Sequence, residues 1–260
     1  MDKLPILISI PHGGQFIPDS MKDRIMLSSE DIFDDSDAFT RDIYDIGNHA
    51  EYVFKTDIAR AVIDLNRSLD ECPPNYPDGV IKSHTCYDKQ IYIKGLAPDQ
   101  HTIKKLIQSY YLPYHHNINK ALAEKKIAFA LDCHSMAAIG PLNAKDKGKK
   151  RPLICLGNAW GQTCSEWLIN RISECFCTSF GFRSSDIVIN KPFAGGYITQ
   201  TYGKSPIPWI QVEISRELYL ASKFFNRQTL QMKDANRLNE LNQMFQAGLD
   251  LVFSDYTGFR

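Results

Sequence analysis

The chain carries no excess of either charge: thirty Lys and Arg offset thirty Asp and Glu in 260 residues. No global field therefore recruits nucleic acid or an anionic membrane, and any charge selectivity must be local. No apolar run approaches the roughly 20 residues that cross a bilayer. The seven cysteines (72, 86, 133, 155, 164, 175 and 177) include no CxxC pair and no recognisable secreted framework, which excludes a zinc module of that kind and fits a reducing compartment. The start, with Asp2 and Lys3, is too polar and too short before His12 for a signal peptide, so a cytoplasmic location is expected. There is no internal repeat and no low-complexity tract. What is present is ordinary for a soluble globular protein, at 43% hydrophobic and 23% charged residues. A chain of this length can bury a substantial core, and a single domain over 1–260 is expected.

Short β-branched runs alternate with helical periodicity. Leu4 to Ile10 reads as a buried strand closed by Pro11 and two glycines. Apolar residues at 39, 43, 46 and 50 predict a helix from Phe39 to Ala50, behind the acidic cluster Asp31, Asp34, Asp35 and Asp37. Tyr52 to Lys55 and Ala59 to Leu65 read as strands. Pro73, Pro74, Pro77 and Gly79 make Asp70 to Pro98 an irregular excursion over the surface. His101 to Lys125 predicts a helix bent or broken near Pro113, leading into a strand at 127–132. Further strands are expected at Leu153 to Leu156, Ile187 to Asn190 and Trp209 to Ile214. Helices are expected from Ser165 to Phe180, ending at Gly181, and from Thr229 to Phe253. This alternation favours a largely parallel sheet flanked by helices, with functional residues at the strands' carboxyl ends.

Two such ends carry imidazoles. Asp132-Cys133-His134-Ser135-Met136 follows the apolar run Ile127 to Leu131, and Pro11-His12-Gly13-Gly14 follows the first strand. Neutral imidazole ligates divalent metals, and two His plus one carboxylate leave an open position for water, the usual arrangement of a hydrolytic zinc site. Asp37 is the first choice for the carboxylate and Asp35 the next; the same cluster could instead supply only a helix cap and favourable dipole charges. Asp132, two residues before His134 on one strand face, suits a partner that orients an imidazole.

Arg60 with Asp64-Leu65-Asn66-Arg67-Ser68 offers a planar donor fork and an uncharged donor for an anion, unless the arginine simply pairs with Asp64 or Asp70 at the surface. Glu213 lies within the apolar strand Trp209, Ile210, Val212, Ile214. A carboxylate desolvated there would have a raised pKa suited to a general base, the alternatives being a salt bridge to Arg216 or an exposed strand end. Gly195 and Gly196 would let backbone approach a substrate, or form only a turn. Three features point elsewhere. His115 and His116 read as packing or surface residues, Cys175 and Cys177 as helix interior, and Lys145, Lys147, Lys149, Lys150 and Arg151 as a solvated loop without the aromatics of a nucleic-acid surface.

Taken in order, Ile10-Pro11-His12-Gly13-Gly14 with Ile17-Pro18, the Asp37 to Asp45 segment, Asp64 to Arg67, Asp132 to Ser135, Pro192 to Gly196 and Gln211 to Arg216 resemble the N-formylglutamate amidohydrolases, or deformylases, over residues 6 to about 219. More distantly, Asp132 to Ser135, Asn66-Arg67 and Glu213 are similar to motifs of zinc carboxypeptidases and aspartoacylases. The resemblance implies a three-layer α/β sandwich around a mixed, mostly parallel sheet, zinc-exopeptidase-like (phosphorylase/hydrolase-like). Those more distant relatives carry His-x-x-Glu as their first ligand motif, whereas the corresponding position here is Gln15, a poor ligand, which leaves the carboxylate to Asp37.

The implied function is hydrolysis of N-formyl-L-glutamate to formate and L-glutamate, part of histidine degradation. His12, Asp37 and His134 would hold zinc, Glu213 would carry the proton, and Arg60 would stabilise the oxyanion or bind a carboxylate. Asn66 and Arg67 would grip the α-carboxylate, with Gly195 and Gly196 beside the substrate. The partner is thus a small acidic N-acyl amino acid. Rival readings are a carboxypeptidase-like or other amidohydrolase on peptide-like substrates, separable by formate release against amino-acid release, and an inactive binding module, which would hold no stoichiometric metal.

Overall fold

The computed structural model describes residues 3–72, 75–124 and 126–254. The sequence expectations that involve Asp2, Pro73, Pro74 and Lys125 lie outside the described residues. Six strands form the central sheet: β1 (Leu4–Ile10), β2 (Ala50–Lys55), β3 (Phe129–Met136), β4 (Ile154–Gly157), β5 (Ile187–Ile189) and β6 (Trp209–Ser215), in the order β2-β1-β3-β6-β4-β5. Strands β2, β1, β3 and β6 run parallel, whereas β4 is antiparallel to β6 and parallel to β5. The sheet is therefore mixed and mostly parallel.

Strand alternation places one set of side chains on each face. Ile6, Ile8, Ile10, Leu131, Val212 and Ile214 pack against the helices Thr40–Tyr44, Glu166–Phe180 and Arg237–Ser254. Leu7, Ala130 and Trp209 pack on the opposite face against Tyr114, Ile118 and Ala121 of the helix Leu112–Ala123. The result is the expected three-layer α/β sandwich. Every residue of β3 and of β6 is buried, so polar side chains in these strands must find partners inside the protein.

Local chemistry explains where elements stop. Ser165 caps the helix Glu166–Phe180 by accepting from the Leu168 amide, and Gly181 ends it at φ 66°, a left-handed conformation that glycine adopts without a Cβ clash. The segment around Pro113 stays helical. A π turn at Ile107–Tyr111, in which the Leu112 amide donates to the Ile107 carbonyl, widens the helix just before the proline, where an ordinary α turn would meet its ring.

Several expectations are corrected. The helix predicted to reach Ala50 ends at Tyr44, because Asp45 turns extended, its carboxylate accepts the Gly47 amide, and Gly47 adopts φ 55°. Residues 59 and 61–65 are buried, but the segment is not a strand: the Val62 and Ile63 amides both donate to the Ala59 carbonyl, coiling the chain into turns. Only Arg237–Ser254 of the 229–253 segment is helical, since Gln231–Met232 pairs with Phe225–Asn226. The described part of the 70–98 excursion is irregular but not superficial, for Val80, Ile81, Lys82 and Ile91 are buried. The polar residues 132–135 lie within β3 rather than beyond its end.

Candidate active site

Because β1, β3 and β6 are parallel, their carboxyl ends share one edge. In register, Ser9 pairs with Asp132 and Asp132 with Gln211, and one step further His134 pairs with Glu213. Two-residue alternation puts Asp132, His134, Gln211 and Glu213 on one face. His12 enters from the loop after β1. Gly14 permits that loop's course: a Cβ there would lie 2.2 Å from the Asp57 carbonyl carbon, in the segment after β2 to which the loop pairs. The Asp37 amide donates to the His12 carbonyl at 2.9 Å, so backbone bonding ties the acidic segment to the same edge.

His12, Asp37 and His134 form a buried cluster whose potential ligand atoms lie within 4.8 Å of one another. One Asp37 oxygen, Oδ2, is 3.5 Å from His12 Nδ1 and 3.0 Å from His134 Nδ1. The opposite ring nitrogens are held by other acids: His12 Nε2 lies 2.7 Å from Asp64 Oδ1, and His134 Nε2 lies 3.1 Å from Asp132 Oδ1. In the metal-free cluster both Nδ1 atoms face Asp37 Oδ2; with the protons instead on Nε2, toward Asp64 and Asp132, each Nδ1 would be free to ligate a cation beside Asp37. Two nitrogens and a carboxylate oxygen converging in this way fit a divalent cation such as zinc.

Asp37 is held from its other side by Ser135 Oγ at 3.1 Å and Arg216 Nη2 at 3.2 Å. Burial pushes its carboxyl up, but hydrogen bonds with His12 and His134 prevail and hold it well below the usual carboxylate range. Asp64, fully buried, accepts from Arg60 Nε at 2.7 Å and the Asn66 amide at 2.8 Å besides meeting His12. Burial raises its carboxyl too, and the Arg60 and His12 charges more than reverse this. Glu213 has no such counter-charge in contact. Desolvation raises its pKa to about 7, opposed by the His134 charge and reinforced by Asp37. Gln211 Nε2 donates to Glu213 Oε1 at 2.6 Å, and Gln211 Oε1 accepts the Gly196 amide, which fixes the carboxylate's orientation.

The acidic cluster is thus divided. Asp31 caps its own helix with Ser28, Asp34 pairs with Arg227, and Asp35 turns away to Lys82 and the Cys86 amide. Of the two carboxylates left open by the sequence, Asp37 is the one in the cluster. Gln15 is exposed and points to Ser36. Glu213 neither sits at an exposed strand end nor pairs with Arg216, whose donors go to Asp37, Ser135 and the carbonyls of Asp34 and Ser36.

A cleft of about 570 Å³ opens over these groups, lined also by Arg60, Asn66, Arg67, Gly195 and Gly196. Arg60 is not a surface arginine: its side chain is mostly buried and bound to Asp64. Asn66 accepts the Ile198 amide at 2.7 Å, and its Nδ2 lies 3.2 Å from His134 Nε2. Arg67 is held by the carbonyl and carboxylate of Asp78, both at 2.7 Å. The close approach permitted at Gly196 is to Asn66, whose Nδ2 would lie 2.5 Å from an added Cβ. Sequence reasoning missed Gln211 and gave Arg216 only a minor part, although both sit two or three residues from Glu213 and in the same motif. His115 is buried against Tyr202 and the Leu65 carbonyl, away from the cluster.

A family model described as N-formylglutamate amidohydrolase matches residues 4–220, from β1 through the whole cleft. The chain belongs to this family. N-formylglutamate deformylase of Pseudomonas putida is 27% identical over 227 residues, covering 84% of this chain and 82% of the relative. The enzyme of that name from Pseudomonas aeruginosa is 26% identical over 233 residues, covering 84% and 83%. Among solved structures, an N-formylglutamate amidohydrolase from Ralstonia eutropha JMP134 superposes with a TM-score of 0.78 at 19% identity, over 97% of this chain and 94% of that one. This amidohydrolase-family chain therefore shares the relative's fold over nearly its full length. Among the described residues no helix is long and apolar enough to cross a membrane.

Proposed function

We propose that this chain hydrolyses N-formyl-L-glutamate to formate and L-glutamate, using a divalent metal, zinc in the first instance, held by His12, Asp37 and His134. The observation that carries this reading is the convergence of two carboxylate-braced imidazoles and Asp37 beside Glu213, within a chain of the N-formylglutamate amidohydrolase family. Bound there, a divalent cation supplies Lewis acidity toward the formyl oxygen and lowers the pKa of the attacking water toward ~7.

The protein's own groups do the remaining work. Glu213 takes the proton as the water oxygen attacks the formyl carbon, then delivers it to the amide nitrogen as the C–N bond breaks. The products are formate and the free amine of glutamate. Gln211 keeps Glu213 Oε1 fixed, leaving Oε2 for proton transfer. Arg60 stabilises negative charge on the tetrahedral oxygen, while Asn66 and Arg67 receive the α-carboxylate; all three line the cleft with the cluster. An acidic substrate is accommodated by this local positive charge although the whole chain is neutral.

The test is release of formate from N-formyl-L-glutamate by purified, zinc-loaded protein, against release of free amino acids from acidic dipeptides. Formate release that is abolished by a chelator and restored by metal is expected. A metal-loaded protein that frees amino acids from peptides and no formate would overturn the reading.

A further inference from the structure

The proposed substrate has two carboxylates, and the groups assigned so far account for one. Arg60 and the Asn66 amide meet Asp64, which also contacts His12 after β1, and Arg67 beside them is held by Asp78. On the opposite, β4 side the cleft is lined by Arg151. The basic run that contains it is otherwise solvated: Lys145, Lys147, Lys149 and Lys150 are exposed, and Arg151 alone is buried, at 7% exposure.

Its position is fixed from three directions. The Arg151 amide donates to the Ala138 carbonyl, two residues beyond β3. Asp146 takes Nε at 2.7 Å and Nη2 at 2.8 Å in a side-on pair. The guanidinium carbon lies 5.0 Å from the Phe193 ring centroid, which holds the plane of the group. Phe193 in turn accepts from Cys155 Sγ at 3.2 Å, and Cys155 is the register partner of Glu213. A guanidinium has five N–H donors, and a side-on pair uses only the Nε edge. The outer Nη1/Nη2 edge is left, and among the described residues no hydrogen bond engages Nη1. That edge matches a carboxylate bidentately.

We propose that Arg151 is the specificity residue that receives the side-chain carboxylate of the substrate, selecting N-formyl dicarboxylic amino acids over neutral ones. The inference rests on the N-formylglutamate reading above. Asp146 and Phe193 hold the fork, while the substrate's α-carboxylate is bound on the far side of the cluster. The two anchors straddle the reacting carbon and turn the formyl group toward Glu213.

The experiment compares kcat and KM for N-formyl-L-glutamate and N-formyl-L-glutamine in the wild type, Arg151→Gln, Arg151→Lys and Asp146→Asn, all zinc-loaded. In Arg151→Gln the KM for the glutamate substrate rises about 30-fold while that for the glutamine substrate changes less than about 3-fold, as expected when one charge-assisted pair is removed. Arg151→Lys, which keeps the charge and loses the fork, retains an intermediate preference and serves if the Gln variant does not fold. Asp146→Asn loosens the loop yet keeps the preference for glutamate. Equal losses on both substrates in Arg151→Gln, or the same pattern in Asp146→Asn, would assign Arg151 to loop structure alone and overturn the inference. A wild type that releases formate from neither substrate defeats the proposed function itself, and this inference with it.

Discussion

Replacing Glu213 by Gln separates chemistry from folding because the two effects have opposite signs. Glutamine keeps the shape and still accepts from Gln211, but it cannot take a proton, so kcat/KM should fall by about 10²- to 10⁴-fold, the usual contribution of a general base. Stability moves the other way. In the folded, metal-free protein Glu213 titrates at about 7 against an ordinary value of 4.5. Below 4.5 both folded and unfolded chains carry the proton. Between 4.5 and 7 only the folded chain retains it, so wild-type stability falls as pH rises through that window, and above 7 the loss is complete. A gap of about 2.5 pH units at about 1.4 kcal/mol each amounts to about 3 kcal/mol. Glutamine does not titrate. Relative to wild type, Glu213→Gln should therefore gain up to about 3 kcal/mol between pH 4.5 and 8. Urea unfolding of chelator-treated protein at several pH values in this range, followed by tryptophan fluorescence, measures the difference. A gap that stays constant with pH would show that burial does not hold this proton, and the assignment of Glu213 as a base tuned by desolvation would be withdrawn.

Other perturbations test the cluster and its supports. Asp64→Asn weakens the brace on His12 and should lower zinc affinity by about 10- to 100-fold, measured by competition with a chromogenic chelator; unchanged affinity would remove Asp64 from the site. Zinc at about 100 times its Kd should raise unfolding free energy by about 2.7 kcal/mol in the wild type, and His134→Ala should lose most of that increment. Lys82 is fully buried between Asp35 and Asp78, so Lys82→Met should destabilise by about 3–5 kcal/mol in urea unfolding, and Lys82→Met with Asp35→Leu should recover part of it. Gly196→Ala drives a Cβ into the Asn66 amide and should raise KM for the substrate more than it lowers kcat; an unchanged KM would argue against Asn66 as a substrate contact.

Much of the architecture was legible because burial repeats at the period of each element. The runs at 4–10 and 209–214 are apolar on the faces that pack against helices, and Ser165 and Gly181 mark the helix between them by capping chemistry that needs no tertiary partner. Residues 59–65 misled for the same reason. Their apolar side chains are buried, as in a strand, but the backbone bonds locally, and side-chain pattern alone does not report where the amides go. In the site, His12, His134 and Glu213 stood out as polar residues in or beside buried strands.

The sequence by itself determined the residue types at the strand ends, since an imidazole or carboxylate inside an apolar run must find a partner or be desolvated at a cost. It determined the alternation that builds a mostly parallel sheet, and so the edge where those residues meet. Tertiary structure alone separated Asp35 from Asp37, because each acid is two residues from the other and only the chain fold shows that Lys82 pairs with the first while the imidazoles face the second. It alone brought Asp64 to His12 and Arg151 into the cleft. Those pairings join residues far apart in the chain, or bury one cation out of a solvated run, and no local periodicity encodes a distance between segments that meet only when the sheet has formed.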